Sequence, residues 1–251
     1  MLEVVNLVKH YGKIRAVDGI SFTVKPGEVF GFLGPNGAGK TTTIKVCTGL
    51  LKPTNGQVRV AGFDIASETV EAKRNLGYVP DNPFMYTKLT AREFLQFVGA
   101  VYLGKGHAGI DGRIDEVLAM VGLAERADEL IESYSFGMKR KSTLCAAILH
   151  RPRVLLLDEP TAGLDALSAR QAKDAFGQLA RSGSAILLTT HIMEIAERLC
   201  DRVGIINNGK LIAVGTLDEL KHQASAPGST LEDVFLSLTE TADDNARRDQ
   251  T

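Results

Sequence analysis

The sequence predicts an α/β fold built around a phosphate-binding loop and interrupted by a block of helices. Three observations carry this. Gly34-Pro35-Asn36-Gly37-Ala38-Gly39-Lys40-Thr41 reads G-x-x-x-x-G-K-T, after an apolar run of strand type at 28–33. Val154-Leu155-Leu156-Leu157 is a second apolar strand, and it ends in two acids, Asp158 and Glu159. Between them, over about 87–150, helical spacing replaces strand spacing.

Taken in order, Leu2, Val4 and Leu7, and then residues 20–24, alternate as strands of a half-exposed sheet. The segment 42–50 after the loop is helix-like. Pro53, Asn55 and Gly56 punctuate a turn into a strand at 56–62, and a short strand follows at 76–80. Thr90-Ala91-Arg92-Glu93 matches a capping box ahead of Phe94, Leu95, Phe97 and Val98. Ile114, Val117, Leu118 and Val121 form a second helical stripe, and a third helix is expected at about 137–149. Strand and helix then alternate: strand 154–157, helix 167–180, strand 185–189, helix 193–199, strand 203–206. Asn208-Gly209 reads as a hairpin turn into a strand at 211–214. Residues 239–251 are polar and are expected to form a flexible tail.

The loop carries its chemistry in its residue types. Glycines let the backbone turn and point N–H groups at an anion. Lys40 brings charge to the β- and γ-phosphates, and the Thr41 hydroxyl can ligate Mg²⁺. The helix from Thr42 adds its N-terminal dipole. Asp158 is expected to hold Mg²⁺, and Glu159 to orient and deprotonate an attacking water. His191, after the apolar strand 185–190, stands where it could reach a γ-phosphate or that water.

Composition narrows the class. The formal net charge is −1, so no whole-molecule field draws the chain to nucleic acid or anionic lipid. Cys47, Cys145 and Cys200 lie far apart, which suits reduced thiols and not a disulfide frame or a zinc site. Cys47, on the loop helix, reads as a small buried hydrophobe. The N-terminus lacks signal-peptide features, and no stretch reaches about eighteen apolar residues. Work at a membrane would then require a separate polypeptide.

Together these residues resemble the ATP-binding cassette (ABC) ATPases over roughly 2–238, with the helical subdomain at about 87–150. The resemblance implies a P-loop NTPase of ABC type, with a RecA-like core, an antiparallel β subdomain and a helical insertion. It implies ATP and Mg²⁺ as ligands. Tyr11, in Lys9-His10-Tyr11-Gly12, matches the aromatic on which adenine stacks. Tyr134-Ser135-Phe136-Gly137-Met138 matches the signature usually written LSGGQ, with Ser135 and Gly137 facing the γ-phosphate of a second cassette. Ser135 would also cap the helix beginning near Gly137. Ala162-Gly163-Leu164-Asp165 matches the loop that meets the partner cassette, and His191 the switch histidine. A head-to-tail dimer, a separate transmembrane permease and a place at the cytoplasmic face of the membrane follow as implications. No nucleic acid is expected.

The chain departs from the family pattern at two places. Asp81 stands where glutamine usually follows Gly77-Tyr78-Val79-Pro80, at a position that senses Mg²⁺; a metal-linked role with altered coupling is expected. Phe136 and Met138 replace glycine and glutamine in the signature. The form YSxGM and the segment 230–238 resemble cassettes of ABC-2-type exporters, including drug- and sodium-efflux types. Phe84, Met85 and Tyr86 could meet a permease or could pack internally. Two other readings stand beside the exporter ATPase. One is a soluble cassette acting on nucleic acid or ribosomes. The other is a non-hydrolysing regulator.

Overall fold

The computed structural model describes residues 1–248 except 83, 163–165 and 225–228, and for 166–169 and 240–248 it describes the backbone alone. Two sheets organise the chain. β1 (Leu2–Tyr11), β2 (Ile14–Val24), β4 (Asn55–Val60) and β5 (Phe63–Asp64) form an antiparallel sheet in the order β2-β1-β4-β5. The second sheet contains β3 (Val29–Leu33), β6 (Leu76–Val79), β7 (Val154–Asp158), β8 (Ala185–Thr190), β9 (Arg202–Asn207) and β10 (Lys210–Gly215). Its order is β10-β9-β3-β8-β7-β6, parallel except for the β10 edge.

The helices are α1 (Lys40–Cys47), α2 (Thr69–Arg74), α3 (Ala91–Leu103), α4 (Ile110–Met120), α5 (Phe136–Ile148), α6 (Ala166–Arg181), α7 (Met193–Leu199), α8 (Leu217–Gln223) and α9 (Leu231–Arg248). No helix of the described residues is long and apolar enough to cross a membrane. The backbone of α9 runs on through Arg248, past the point at 239 where composition turns polar.

The parallel strands β7 and β8 are apolar along most of their length, with polar residues only at their carboxyl ends, because both their faces are covered. In β7, Leu155 and Leu157 face a core shared with α3, α4 and α5, while Val154 and Leu156 face the core shared with α1 and the antiparallel sheet. In β8, Ile186 and Leu188 divide from Ala185 and Leu187 in the same way. Phe22 of β2 stacks on Phe30 and Phe32 of β3, at centroid distances of 5.4 and 5.2 Å, which fastens one sheet to the other. The parallel strands thus end together, and the connections after β3, β7 and β8 emerge at one edge.

The expected capping box is present: Thr90 accepts from the Glu93 backbone, and Glu93 from that of Thr90. Asn208 and Gly209 take φ of 47° and 77°, the conformation of a tight hairpin turn. α2, β5 and α8 have no counterpart in the sequence reading.

Candidate functional site

The loop between β3 and α1 wraps a cavity of about 220 Å³ lined by Pro35, Asn36, Gly39, Lys40, Asp81 and Glu159, among others. Glycine is required at two places. Gly39 takes φ of 111°, and a Cβ there would lie 2.4 Å from the Ala16 carbonyl. A Cβ at Gly34 would lie 2.3 Å from the Ile206 carbonyl. Gly39 is also the N-cap of α1 and has no side chain to cap it, so the first-turn N–H groups and the helix dipole face the cavity. That arrangement suits a polyanion.

Lys40 is buried, and its Nζ donates to the carbonyls of Gly34 at 2.6 Å and Pro35 at 3.2 Å. Burial lowers the Lys40 pKa, while Glu159 and Asp158 work against that shift. Asp158, at the end of β7, is 2 % exposed. Its Oδ1 accepts from Thr189 Oγ1 at 2.7 Å and from Thr41 Oγ1 at 3.5 Å. Burial raises the Asp158 pKa, the two hydroxyls pull it back, and Asp81 and Glu159 add to the rise. Glu159 Oε1 stands 3.8 Å from Lys40 Nζ and 3.0 Å from His191 Nδ1. Its backbone is unusual, with φ of 49°.

The sheet therefore brings Lys40, Thr41, Asp158, Glu159 and His191 together from β3, β7 and β8. No group of three or more His, Cys, Asp or Glu side chains gathers as a metal cage among the described residues. Thr41 and Asp158 instead form a hard-oxygen pair beside the cradle, and such donors fit Mg²⁺.

Asp81 lines the same cavity, but its Oδ1 forms an ion pair with Arg140 at 2.7 Å. Ser135 and Gly137 lie apart from the cradle, at the start of α5. Ser135 is exposed and caps that helix, accepting from the Met138 backbone at 3.3 Å. Tyr11 is 45 % exposed at the end of β1, with Lys9 Nζ 5.2 Å from its ring centre. Most of the expected partner-facing loop, at 163–165, lies outside the described residues. Met85 is buried, so of the apolar trio only Phe84 and Tyr86 are exposed.

Two residues with structural parts here escape the sequence reading. Thr189 is fully buried and binds both Asp158 and the Glu159 backbone. Its signal is the pair of hydroxyls, Thr189 and Thr190, that closes an otherwise apolar strand. Arg140 reaches Asp81, Glu159 and Ala162 from α5, and nothing local marks it. A larger cavity of about 560 Å³ lies against Thr161, Arg170, Lys173 and Arg198 and shares no lining residue with the cradle.

Residues 17–162 match the ABC transporter family. The chain is 46% identical over 220 residues to the linearmycin resistance ATP-binding protein LnrL of Bacillus subtilis (strain 168), covering 88% of this chain and 70% of that one. It is 40% identical to the bacitracin transport ATP-binding protein BcrA of Bacillus licheniformis, covering 88% of this chain and 71% of that one. It is 39% identical to the probable multidrug ABC transporter ATP-binding protein YbhF of Escherichia coli (strain K12), covering 95% of this chain and 41% of that one. The chain thus spans about two fifths of that last relative. Among solved structures, an ATP-binding subunit of an ABC transporter superposes with a TM-score of 0.89 at 34% identity, covering 95% of this chain and 99% of that one. The ADP conformation of another ABC transporter cassette superposes with a TM-score of 0.79 at 25% identity, covering 93% and 97%. The chain belongs to the ABC transporter family, as an ATP-binding cassette of its ATPase class.

Proposed function

We propose that this chain hydrolyses ATP to drive a separate membrane permease of exporter type. The observation that carries the hydrolytic part is Glu159, whose Oε1 lies between the Lys40 ammonium and the His191 imidazole. Lys40 leaves the loop carbonyls to pair with β- and γ-phosphate oxygens. Glu159 accepts the proton of the attacking water, and His191 holds the Glu159 carboxylate in line. Mg²⁺, held by Thr41 and Asp158, neutralises charge on the phosphates when bound. Tyr11 stacks on the adenine. Ser135 and the N-terminus of α5 supply donors to the γ-phosphate held by a second cassette, which makes the dimer head to tail.

An exposed aromatic cluster supports the permease. Phe84, Tyr86 and Phe97 are 87%, 51% and 50% exposed, and Tyr86 meets the other two edge to face at 6.1 and 5.7 Å. Exposed aromatics packed on one another mark a docking face. The exporter assignment leans on the linearmycin and bacitracin relatives, and a permease partner would hold the chain at the cytoplasmic face of the membrane.

The test is Mg²⁺-dependent phosphate release by the purified chain. Glu159→Gln lowers kcat by roughly 10²–10⁴-fold and accumulates an ATP-bound dimer by size-exclusion chromatography. A Glu159→Gln protein that hydrolyses at the wild-type rate removes the base assignment, and an inactive wild type leaves a nucleotide-binding regulator.

A further inference from the structure

We propose that Arg140 is the positioning residue for Glu159, and that Asp81 and Phe136 serve to hold Arg140. The proposal rests on the hydrolytic reading above. Arg140 lies in the first turns of α5 and is 4 % exposed. Its Nη1 donates to the carbonyls of Glu159 at 2.6 Å and Ala162 at 2.7 Å. Its Nη2 donates to the Asp81 carbonyl at 2.6 Å and to Asp81 Oδ1 at 2.7 Å. One side chain thereby ties α5 to the segments that follow β6 and β7.

Glu159 is where this matters. Its φ of 49° is the left-handed region, which a residue with a side chain occupies only when its surroundings impose it. The imposition comes from both sides. The Glu159 N–H donates to Thr189 Oγ1 at 3.0 Å and to the Thr189 carbonyl at 3.2 Å, and its own carbonyl accepts from Arg140 Nη1 at 2.6 Å and from the Ala162 N–H at 3.2 Å. The direction of the Glu159 side chain follows from that peptide geometry. Without Arg140 the carbonyl keeps only the Ala162 N–H, and the carboxylate is held less firmly in its position beside Lys40 and His191.

Both departures from the family pattern converge on the same guanidinium. A buried guanidinium needs a counter-charge and a full set of acceptors. Asp81 supplies the charge, and three carbonyls supply acceptors. The Arg140 Nε is buried with no hydrogen-bond partner, so its neighbours already satisfy less than its full donor set. The Phe136 ring lies against the guanidinium, 5.1 Å from centroid to Cζ, and gives cover at the exposed end of α5. A carboxylate at 81 and an aromatic ring at 136 thus have one explanation. Lysine does not replace arginine here, because a single ammonium lacks the planar fork that spans two carbonyls and a carboxylate.

The test is steady-state ATP hydrolysis by the full chain, with Mg-ATP affinity measured separately by a fluorescent ATP analogue. Arg140→Met lowers kcat by about tenfold or more while KM and analogue affinity stay within about twofold, because the phosphate-binding loop of residues 34–41 makes no bond to Arg140. Arg140→Lys, which keeps charge and most of the packing, shows the same split and carries the test if Arg140→Met does not fold. Asp81→Asn lowers kcat by a smaller factor, leaves the Mg²⁺ half-saturation point unchanged, and adds nothing in the Arg140→Lys background. Wild-type kcat in Arg140→Lys, or a rise in KM in place of a fall in kcat, overturns the proposal. A shifted Mg²⁺ half-saturation point in Asp81→Asn alone also overturns it, by assigning Asp81 to the metal. An inactive wild type overturns the hydrolytic reading itself, so the two failures are distinct.

Discussion

Replacing Thr189 with valine isolates the polar support beneath the acid pair. Valine keeps the β-branched shape of threonine in a fully buried site of β8, so volume and strand preference are conserved. The hydroxyl is lost, and with it the 2.7 Å bond to Asp158 Oδ1 and the 3.0 Å bond from the Glu159 N–H. A bond to a charged acceptor contributes about 1.5–3 kcal/mol. The Glu159 N–H keeps the Thr189 carbonyl at 3.2 Å, so its loss is smaller, about 0.5–1 kcal/mol. The sum is about 2–4 kcal/mol, or roughly 4–16 °C in Tm for a chain of this length. Thr190→Val is the control, since its hydroxyl accepts one neutral bond, from the Ile192 N–H at 3.0 Å. The loss there is about 0.5–1.5 kcal/mol. Acid adds a second check. The Asp158 pKa is raised by burial, so its charged form costs stability at neutral pH and the cost fades as acid protonates the folded carboxyl. Removing the Thr189 donor enlarges that cost. The gap between Thr189→Val and wild type, read by circular dichroism melts, is therefore widest at neutral pH and narrows in acid. A Thr189→Val loss no larger than that of Thr190→Val, or a gap that ignores pH, refutes the reasoning.

Three further outcomes are expected. Gly34→Ala forces the loop away from the Ile206 carbonyl and weakens Mg-ATP binding by about tenfold or more, whereas Gly112→Ala, whose Cβ meets nothing within 4 Å, leaves binding unchanged in the same titration. His150, stacked on Tyr102 and bonded to the Leu76 carbonyl, has its pKa lowered by burial to about 4. Its neutral form stabilises the fold fully above the ordinary value near 6.5, and that stability drains away as pH falls toward 4. The loss is on the order of 3 kcal/mol, and urea midpoints measured across this range lose most of their slope in His150→Phe. Leu118→Ala opens a void in the core of the helical block. It costs about 2–5 kcal/mol by urea denaturation with Mg-ATP affinity retained.

Local chemistry made much of this molecule legible. The G-x-x-x-x-G-K-T run defined a strand, a loop and a helix because glycine and helix-start requirements act over a few residues. Thr90 to Glu93 and Asn208-Gly209 were readable for the same reason. α8 could have been read too, since Thr216 and Glu219 form a capping box. The two-residue β5 and the six-residue α2 are too short for periodicity to mark. The support of the acid pair was hidden for another reason: Thr189 stands 31 residues from Asp158, and Arg140 stands 59 residues from Asp81. Sequence spacing carries no trace of such pairings until the sheet order is known. Sequence alone therefore sets Asp81 against a metal, whereas the fold sets the Arg140 guanidinium beside it.

Gly77 carries a lesson for chimeras. A Cβ at this position in β6 would stand 2.3 Å from the carbonyl of Ala147 in α5, so strand and helix touch main chain to main chain. The helical block is thus welded to the sheet at a seam that no side chain can enter, as well as joined through its connecting loops. A graft that imports this block into another host succeeds only where the host strand offers glycine at the matching place; elsewhere a single methyl group prises the transplant loose.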